Sequence, residues 1–212
     1  MTTAWIAGGS GLVGRELLRQ LLDDPDWERV VSVGRRVLPV DHPRLLQVVA
    51  DLSSAGALTG LPPPAAAFCC LGTTIGKAGS REAFRAVDRD AVVAFARAAA
   101  AAGARVLVHV TAVGADPASR VFYNAVKGEA ERDAAAHGPP SVYALRPSIL
   151  DGDRAESRPG ERAGLLLGRA LGPLLGRYRP TPVQKVAQTM IAAARRAEPG
   201  SHVVPPEEIL RA

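Results

Sequence analysis

Thr2-Thr3-Ala4-Trp5-Ile6-Ala7-Gly8-Gly9-Ser10-Gly11-Leu12-Val13-Gly14 decides how the rest of the chain is read. A short apolar strand runs into a glycine-rich turn. A helical pattern follows, with Leu17, Leu18, Leu21 and Leu22 on one side. Glycine lets a backbone adopt positive φ and approach a phosphate with no Cβ in the way. The helix behind the turn aims unpaired N–H groups and its positive dipole end at the anion. The glycines fit G-x-x-G-x-x-G at 8, 11 and 14, and equally G-x-G-x-x-G at 9, 11 and 14. Flanked by strand and helix, this is the signature of a dinucleotide-binding unit.

Outward from that turn, strands and helices alternate. Continuous apolar runs predict strands at 3–8, 29–34, 45–50, 65–71, 104–110 and 141–145, as buried parallel strands require. Helical patterns occupy 12–23, 80–102 and 120–137. The second opens at Ser80, ends at Gly103 and carries a stripe of Phe84, Val87, Ala91, Ala94 and Ala98. Pro39 and Pro43 leave no room for a long helix between strands two and three. Beyond a charged loop at 151–162, two further helices near 161–175 and 183–196 and a strand at 201–204 are expected. The fold class is therefore α/β, a Rossmann-type doubly wound parallel sheet with helices on both faces. The 212 residues make one domain, with 1–147 as cofactor-binding core and 148–212 as a small substrate-side region.

Composition narrows the classes. Hydrophobic residues are 47% and charged residues 22%, which is globular. The net charge of +5 comes from arginine, with Lys77, Lys127 and Lys185 the only lysines. No basic run exceeds two residues, so no nucleic-acid patch is read. Adjacent Cys69 and Cys70 point to opposite faces of a strand and cannot bridge without strain. They read as reduced thiols, and with no signal-peptide pattern the expected location is cytoplasmic. Ala163–Gly176 is broken by Arg169 and glycines, so no membrane span is expected. The four histidines are too scattered for a metal site; His109 reads as a core or edge residue.

Two places carry chemistry. Strand two ends in Gly34-Arg35-Arg36, with no carboxylate until Asp41. An NAD site places an acidic residue there, whereas arginine meets the 2′-phosphate of NADP. NADP(H) is therefore expected over NAD(H). The expected cofactor contacts are Gly8, Ser10, Gly11, Leu12, Val13, Gly14, Arg35, Arg36, Asp51, Leu52, Leu71, Gly72, Thr73, Thr74, Lys127 and Pro147. The second place is Tyr123-Asn124-Ala125-Val126-Lys127, which sets tyrosine and lysine four apart on one helix face. An ammonium favours the phenolate, so Tyr123 is suited to give its proton to a carbonyl receiving hydride. Thr111, at the end of strand five, is the candidate for orienting that carbonyl. Lys77 and Arg158 stand in segments placed to touch substrate.

The glycine turn with the later Y-x-x-x-K resembles the short-chain dehydrogenase/reductase superfamily. Phe68-Cys69-Cys70-Leu71-Gly72-Thr73-Thr74-Ile75-Gly76-Lys77-Ala78-Gly79 and Val87-Asp88-Arg89-Asp90 narrow the likeness. So do Gly114-Ala115-Asp116, Lys127-Gly128-Glu129 and Glu156-Ser157-Arg158-Pro159-Gly160-Glu161. These are similar to the atypical branch containing the Tat-interacting oxidoreductase-like proteins and their bacterial relatives. The resemblance covers the whole chain. It implies a Rossmann fold, NADPH, and Tyr123 and Lys127 in the catalytic positions, with Thr111 where the superfamily usually has serine. The expected function is an NADPH-dependent oxidoreductase acting on a small carbonyl or alcohol. An NADPH-sensing protein that contacts a protein partner without turnover, and an epimerase or isomerase that recycles its cofactor, stay open. The apolar stretch 163–175 suits a pocket wall or a partner surface.

Overall fold

The computed structural model describes residues 2–52, 56, 58–152 and 179–212. Its seven-stranded sheet is built from β1 (Thr3–Ala7), β2 (Arg29–Gly34), β3 (Leu45–Val49), β4 (Ala66–Cys69), β5 (Val106–Val110), β6 (Ser141–Leu145) and β9 (Gly200–Val204). The order is β3-β2-β1-β4-β5-β6-β9, and every neighbouring pair is parallel. The chain steps outward from β1 to β3, then returns to the other side of β1 at β4. That reversal opens a crevice at the carboxyl ends of β1 and β4, where open α/β sheets bind their ligands. The doubly wound sheet expected from the sequence is the observed one. The carboxy-terminal region also supplies β9 to this sheet, and a separate pair, β7 (Leu150–Asp151) and β8 (Thr181–Pro182), forms beside it.

Alternate side chains divide between two cores. Ala4, Ile6, Ala66, Phe68, Val106 and Val108 face α1 (Leu12–Asp23) and α6 (Val183–Arg196). Trp5, Ala7, Ala67, Cys69 and Leu107 face α4 (Ala91–Ala101), which contributes Val92, Phe95, Ala96 and Ala99. The inner strands β1, β4, β5 and β6 are buried on both faces because helices cover each face, while the edge strands β3 and β9 are partly exposed. No helix joins β2 to β3. That connection is fastened by Arg44, which donates to the carbonyls of Leu22, Asp24 and Trp27 at the end of α1.

The helix expected over 80–102 is interrupted. After α2 (Ile75–Ala78), α3 (Arg81–Arg85) passes into a π-helical turn at Ala86–Asp90 before α4 begins. Its buried stripe is Phe84, Asp88, Val92, Phe95, Ala96 and Ala99, while Val87, Ala91, Ala94 and Ala98 are half-buried. The expected stripe agrees at Phe84 and is one residue out of phase beyond it, because the π-helical turn at Ala86–Asp90 adds a residue to that turn and brings Asp88 inward. α5 (Phe122–His137) and α7 (Pro206–Arg211) complete the helices used below. The helix expected at 161–175 and Arg158 lie outside the described residues.

Cys69 and Cys70 are free, and their side chains pack on opposite faces. Burial pushes the Cys69 thiol up to about 12. His109 lies beside Cys69 in the sheet and is fully buried. Burial, with the Lys127 ammonium adding to it, lowers its imidazole from 6.5 to about 3.

Two outcomes follow from this core. Phe95→Ala, which empties a fully buried site against Trp5 at 6.5 Å, should cost about 3–5 kcal/mol in urea unfolding. Unfolded His109 takes up a proton that folded His109 refuses, so its contribution to stability is complete above pH 6.5 and declines from there toward pH 3. His109→Leu should therefore flatten the acid limb of the stability curve, by about 2 kcal/mol at pH 5 relative to pH 7. Thermal denaturation of both proteins across that range checks this.

Candidate active site

The glycine turn is held by contact between backbones. Gly8 has φ +84°, and a Cβ there would lie 2.6 Å from both the carbonyl carbon and oxygen of Cys70. Gly11 donates its N–H to the Gly8 carbonyl at 3.0 Å. A Cβ on Gly14 would lie 2.1 Å from that same oxygen. Gly8, Gly11 and Gly14 thus converge on one carbonyl and build the turn, so the reading at 8, 11 and 14 is the structural one. Gly9 is packed instead against Leu38 and the Ser32 hydroxyl. Ser10 is exposed and Val13 is buried in the core. The first turn of α1 has no side-chain cap and no acidic residue, so its N–H groups suit an anion.

The other expected cofactor residues gather along the same sheet edge. Arg35 and Arg36 are exposed just past β2, while Asp51 and Leu52 follow β3. Leu71, Gly72, Thr73 and Thr74 follow β4, with Gly72 and Thr74 exposed. The Thr74 hydroxyl caps α2 by accepting the Lys77 N–H, and Lys77 itself is exposed. Pro147 is buried, and its carbonyl accepts the Val113 N–H at 3.0 Å, tying the loops after β5 and β6 together.

α5 carries the expected Tyr123 and Lys127. Tyr123, Lys127 and Glu131 recur every fourth residue and share a face. Tyr123 is half-buried, its ring 5.6 Å from that of Phe84. Lys127 is buried, and its Nζ lies 2.8 Å from Oδ1 of Asp88, a residue on the π-helical turn. The other carboxylate oxygen of Asp88 accepts the Thr73 N–H at 2.8 Å. A Cβ on Gly72 would stand 3.6 Å from the Lys127 Nζ. Lys127 and the loop after β4 are therefore brought together, as the sequence leads one to expect.

Thr111 is placed differently. It is buried, and its hydroxyl donates to Oε1 of Glu131 at 2.5 Å. Glu131 is also held by Arg146, whose Nε lies 2.9 and 3.2 Å from the two carboxylate oxygens. The Thr111 proton is committed to Glu131, so it is not offered to a substrate carbonyl in this arrangement. The next residue, Ala112, carries no hydroxyl. Asp88, Glu131 and Arg146 were not singled out as site residues from the sequence. Glu131 could have been, because it continues the Tyr123–Lys127 spacing by one further turn.

The walls are fixed around these groups. Arg89 reaches Asp133 at 2.6 Å and Glu129 at 3.5 Å, and Arg85 also pairs with Glu129, locking the π-helical turn to α5. Gly128 lets the β5–α5 loop lie on the helix, since a Cβ there would be 2.2 Å from the Pro117 nitrogen. A cavity of about 970 Å³ lies elsewhere, beside α4, and shares only Leu52 with the expected site.

No protein-family model matches the chain. Among curated proteins it is 36% identical over 170 residues to the mitochondrial protein fmp52 of Aspergillus fumigatus, covering 77% of this chain and 73% of that one. With FMP52 of Coccidioides immitis, also named mitochondrial, identity is 34% over 218 residues, covering 95% and 89%. Protein HTATIP2 of Rattus norvegicus is 35% identical over 163 residues, covering 75% and 67%. Among solved structures, MoeE5 in complex with UDP-glucose and NAD superposes with a TM-score of 0.72 at 18% identity, covering 99% and 80%. A dTDP-4-dehydrorhamnose reductase from Bacillus anthracis, in complex with NADP, gives 0.69 at 16% identity, covering 97% and 75%. The cytoplasmic location expected from the reduced cysteines is overturned by the fungal relatives, which are named mitochondrial. Reduced thiols report a redox state and not an address. No helix among the described residues is long and apolar enough to cross a membrane. At this identity and coverage, the chain belongs to the atypical short-chain dehydrogenase/reductase family that includes fmp52 and HTATIP2.

Proposed function

We propose that this chain is an NADPH-dependent oxidoreductase acting on a small carbonyl or alcohol. The observation that carries the reading is the meeting of Lys127, one helical turn beyond Tyr123, with the loop after β4 beside the glycine turn. The Gly8–Gly14 turn is kept tight because any Cβ at 8 or 14 would collide with backbone, and the uncapped N–H groups of α1 behind it suit a pyrophosphate. Exposed Arg35 and Arg36 after β2 suit the 2′-phosphate.

A nicotinamide cofactor held here by the glycine turn, Arg35, Arg36 and Lys127 would supply the hydride for a carbonyl carbon. Tyr123 gives its phenolic proton to the carbonyl oxygen, leaving an alcohol and the oxidised cofactor. Lys127 holds a positive charge near the phenolate so produced and stabilises it. Thr111 enters through Glu131, which it shares with Arg146. A second reading, a nucleotide-sugar epimerase, is favoured by the likeness of the fold to MoeE5, which was solved with UDP-glucose and NAD. An epimerase would interconvert sugars with no net consumption of cofactor.

Fluorescence titration with NADPH and NADH, followed by NADPH consumption against aldehydes, ketones and quinones, tests the reading. Tyr123→Phe should lower turnover by about 100-fold or more while leaving the NADPH Kd within about twofold. Unchanged turnover would remove Tyr123 from the chemistry. Replacing Arg35 and Arg36 together by alanine should weaken NADPH by about tenfold or more and NADH far less. Equal losses would remove the 2′-phosphate assignment. Tight binding without consumption of NADPH by any of the panel would favour the sensor.

A further inference from the structure

We infer that Asp88 is a positioning residue that couples the nucleotide-side loop Leu71–Thr74 to Lys127, an inference that rests on the reading of this edge as an NADPH site. Asp88 is 1% exposed, and its two oxygens serve two different elements. One takes the Lys127 ammonium on α5, and the other takes the Thr73 N–H beyond β4, each at 2.8 Å. A single carboxylate therefore sets the position of both relative to the sheet edge.

The neighbouring charges are already divided. Glu131, one turn from Lys127 on the same helix, is occupied by Arg146 and Thr111. Arg89, adjacent to Asp88, turns away to Asp133 and Glu129. His109 beneath is buried and held neutral. Asp88 thus has Lys127 as its cation, and the π-helical turn that carries it is made by an Ala91 N–H bond to the Ala86 carbonyl. Such turns are rare and occur often at functional sites. A buried ion pair is itself a poor source of stability, since apolar residues of similar volume often do as well. Its value here is geometric. The backbone of exposed Gly72 lies directly over the pair, since a Cβ there would stand 3.4 Å from Asp88 Oδ1 and 3.6 Å from Lys127 Nζ.

A double-substitution cycle with Asp88→Asn and Lys127→Met tests the coupling. Asparagine keeps an acceptor for Thr73 and loses the charge that holds the lysine. In the otherwise native chain, Asp88→Asn should weaken NADPH by about tenfold, and in the Lys127→Met background by less than about twofold. Equal losses in both backgrounds overturn the inference. Exchange of the Thr73 amide, followed by NMR without any cofactor, gives a second readout. Lys127→Met should speed it by about tenfold or more, although Lys127 makes no hydrogen bond to Thr73; an unchanged rate overturns the coupling. If the native chain does not bind NADPH, the functional reading fails while the amide measurement still decides the coupling. Should Lys127→Met fail to fold because Asp88 is left as a lone buried charge, adding Asp88→Asn should restore folding. A double variant that stays unfolded counts against the pairing.

Discussion

The approach of Gly8 to the carbonyl of Cys70 is the constraint on which the site depends. β1 and β4 are neighbours in the sheet, and the Cys70 N–H donates to the Ala7 carbonyl at 2.8 Å. One residue later the two chains must part in opposite directions, Gly8 into the glycine turn and Leu71 into the loop that meets Asp88. Only a residue without a Cβ, at positive φ, can make that departure at this distance. The same Gly8 carbonyl then sets Gly11 and Gly14, and with them the start of α1. The uncapped amino-terminal end of α1 and the loop that meets Asp88 are thus two consequences of one crossing point.

Much of this was legible because it rests on periodicity and punctuation. α1 spans Leu12–Asp23 and β6 spans Ser141–Leu145, as their apolar patterns require. The pairing of glycine turn and sheet edge follows from the alternation of β and α units, which leaves few topologies. What the pattern could not supply was phase. A carboxylate at 88 reads as a solvent-facing residue, so the apolar pattern of the second helix runs through Val87 and Ala91 and away from it. Burial of Asp88 makes sense only once Lys127 arrives from α5, 39 positions along the chain. Pairings between distant charged groups leave no periodic trace in one sequence.

Thr111 shows the same limit from another side. Its position at the end of β5 places a hydroxyl near the reactive edge, but strand alternation fixes only that neighbours point oppositely. Which of Thr111 and Ala112 faces the open side depends on where α5 settles. α5 settles close, because Gly128 lets the Asp116–Pro117 backbone lie directly on it. Glu131 then falls beside Thr111 and accepts its hydroxyl hydrogen bond.

Two carboxylates and two cations therefore organise the α5 face: Asp88 with Lys127, and Glu131 with Arg146. Each carboxylate also accepts from a neutral donor belonging to a loop or strand end at the sheet edge, Thr73 in one case and Thr111 in the other. The arrangement repeats one turn apart on the same face of the helix. Charges that would each be costly to bury singly are neutralised in pairs, and each pair fastens α5 to a different strand end, β4 through Thr73 and β5 through Thr111. Tyr123, one turn before Lys127, is thereby carried on a helix fastened at two successive turns of that face. Because both pairs fall on consecutive turns of one face, α5 cannot turn about its axis or shift along it without breaking a buried ion pair, and the placement of Tyr123 follows from those two pairs.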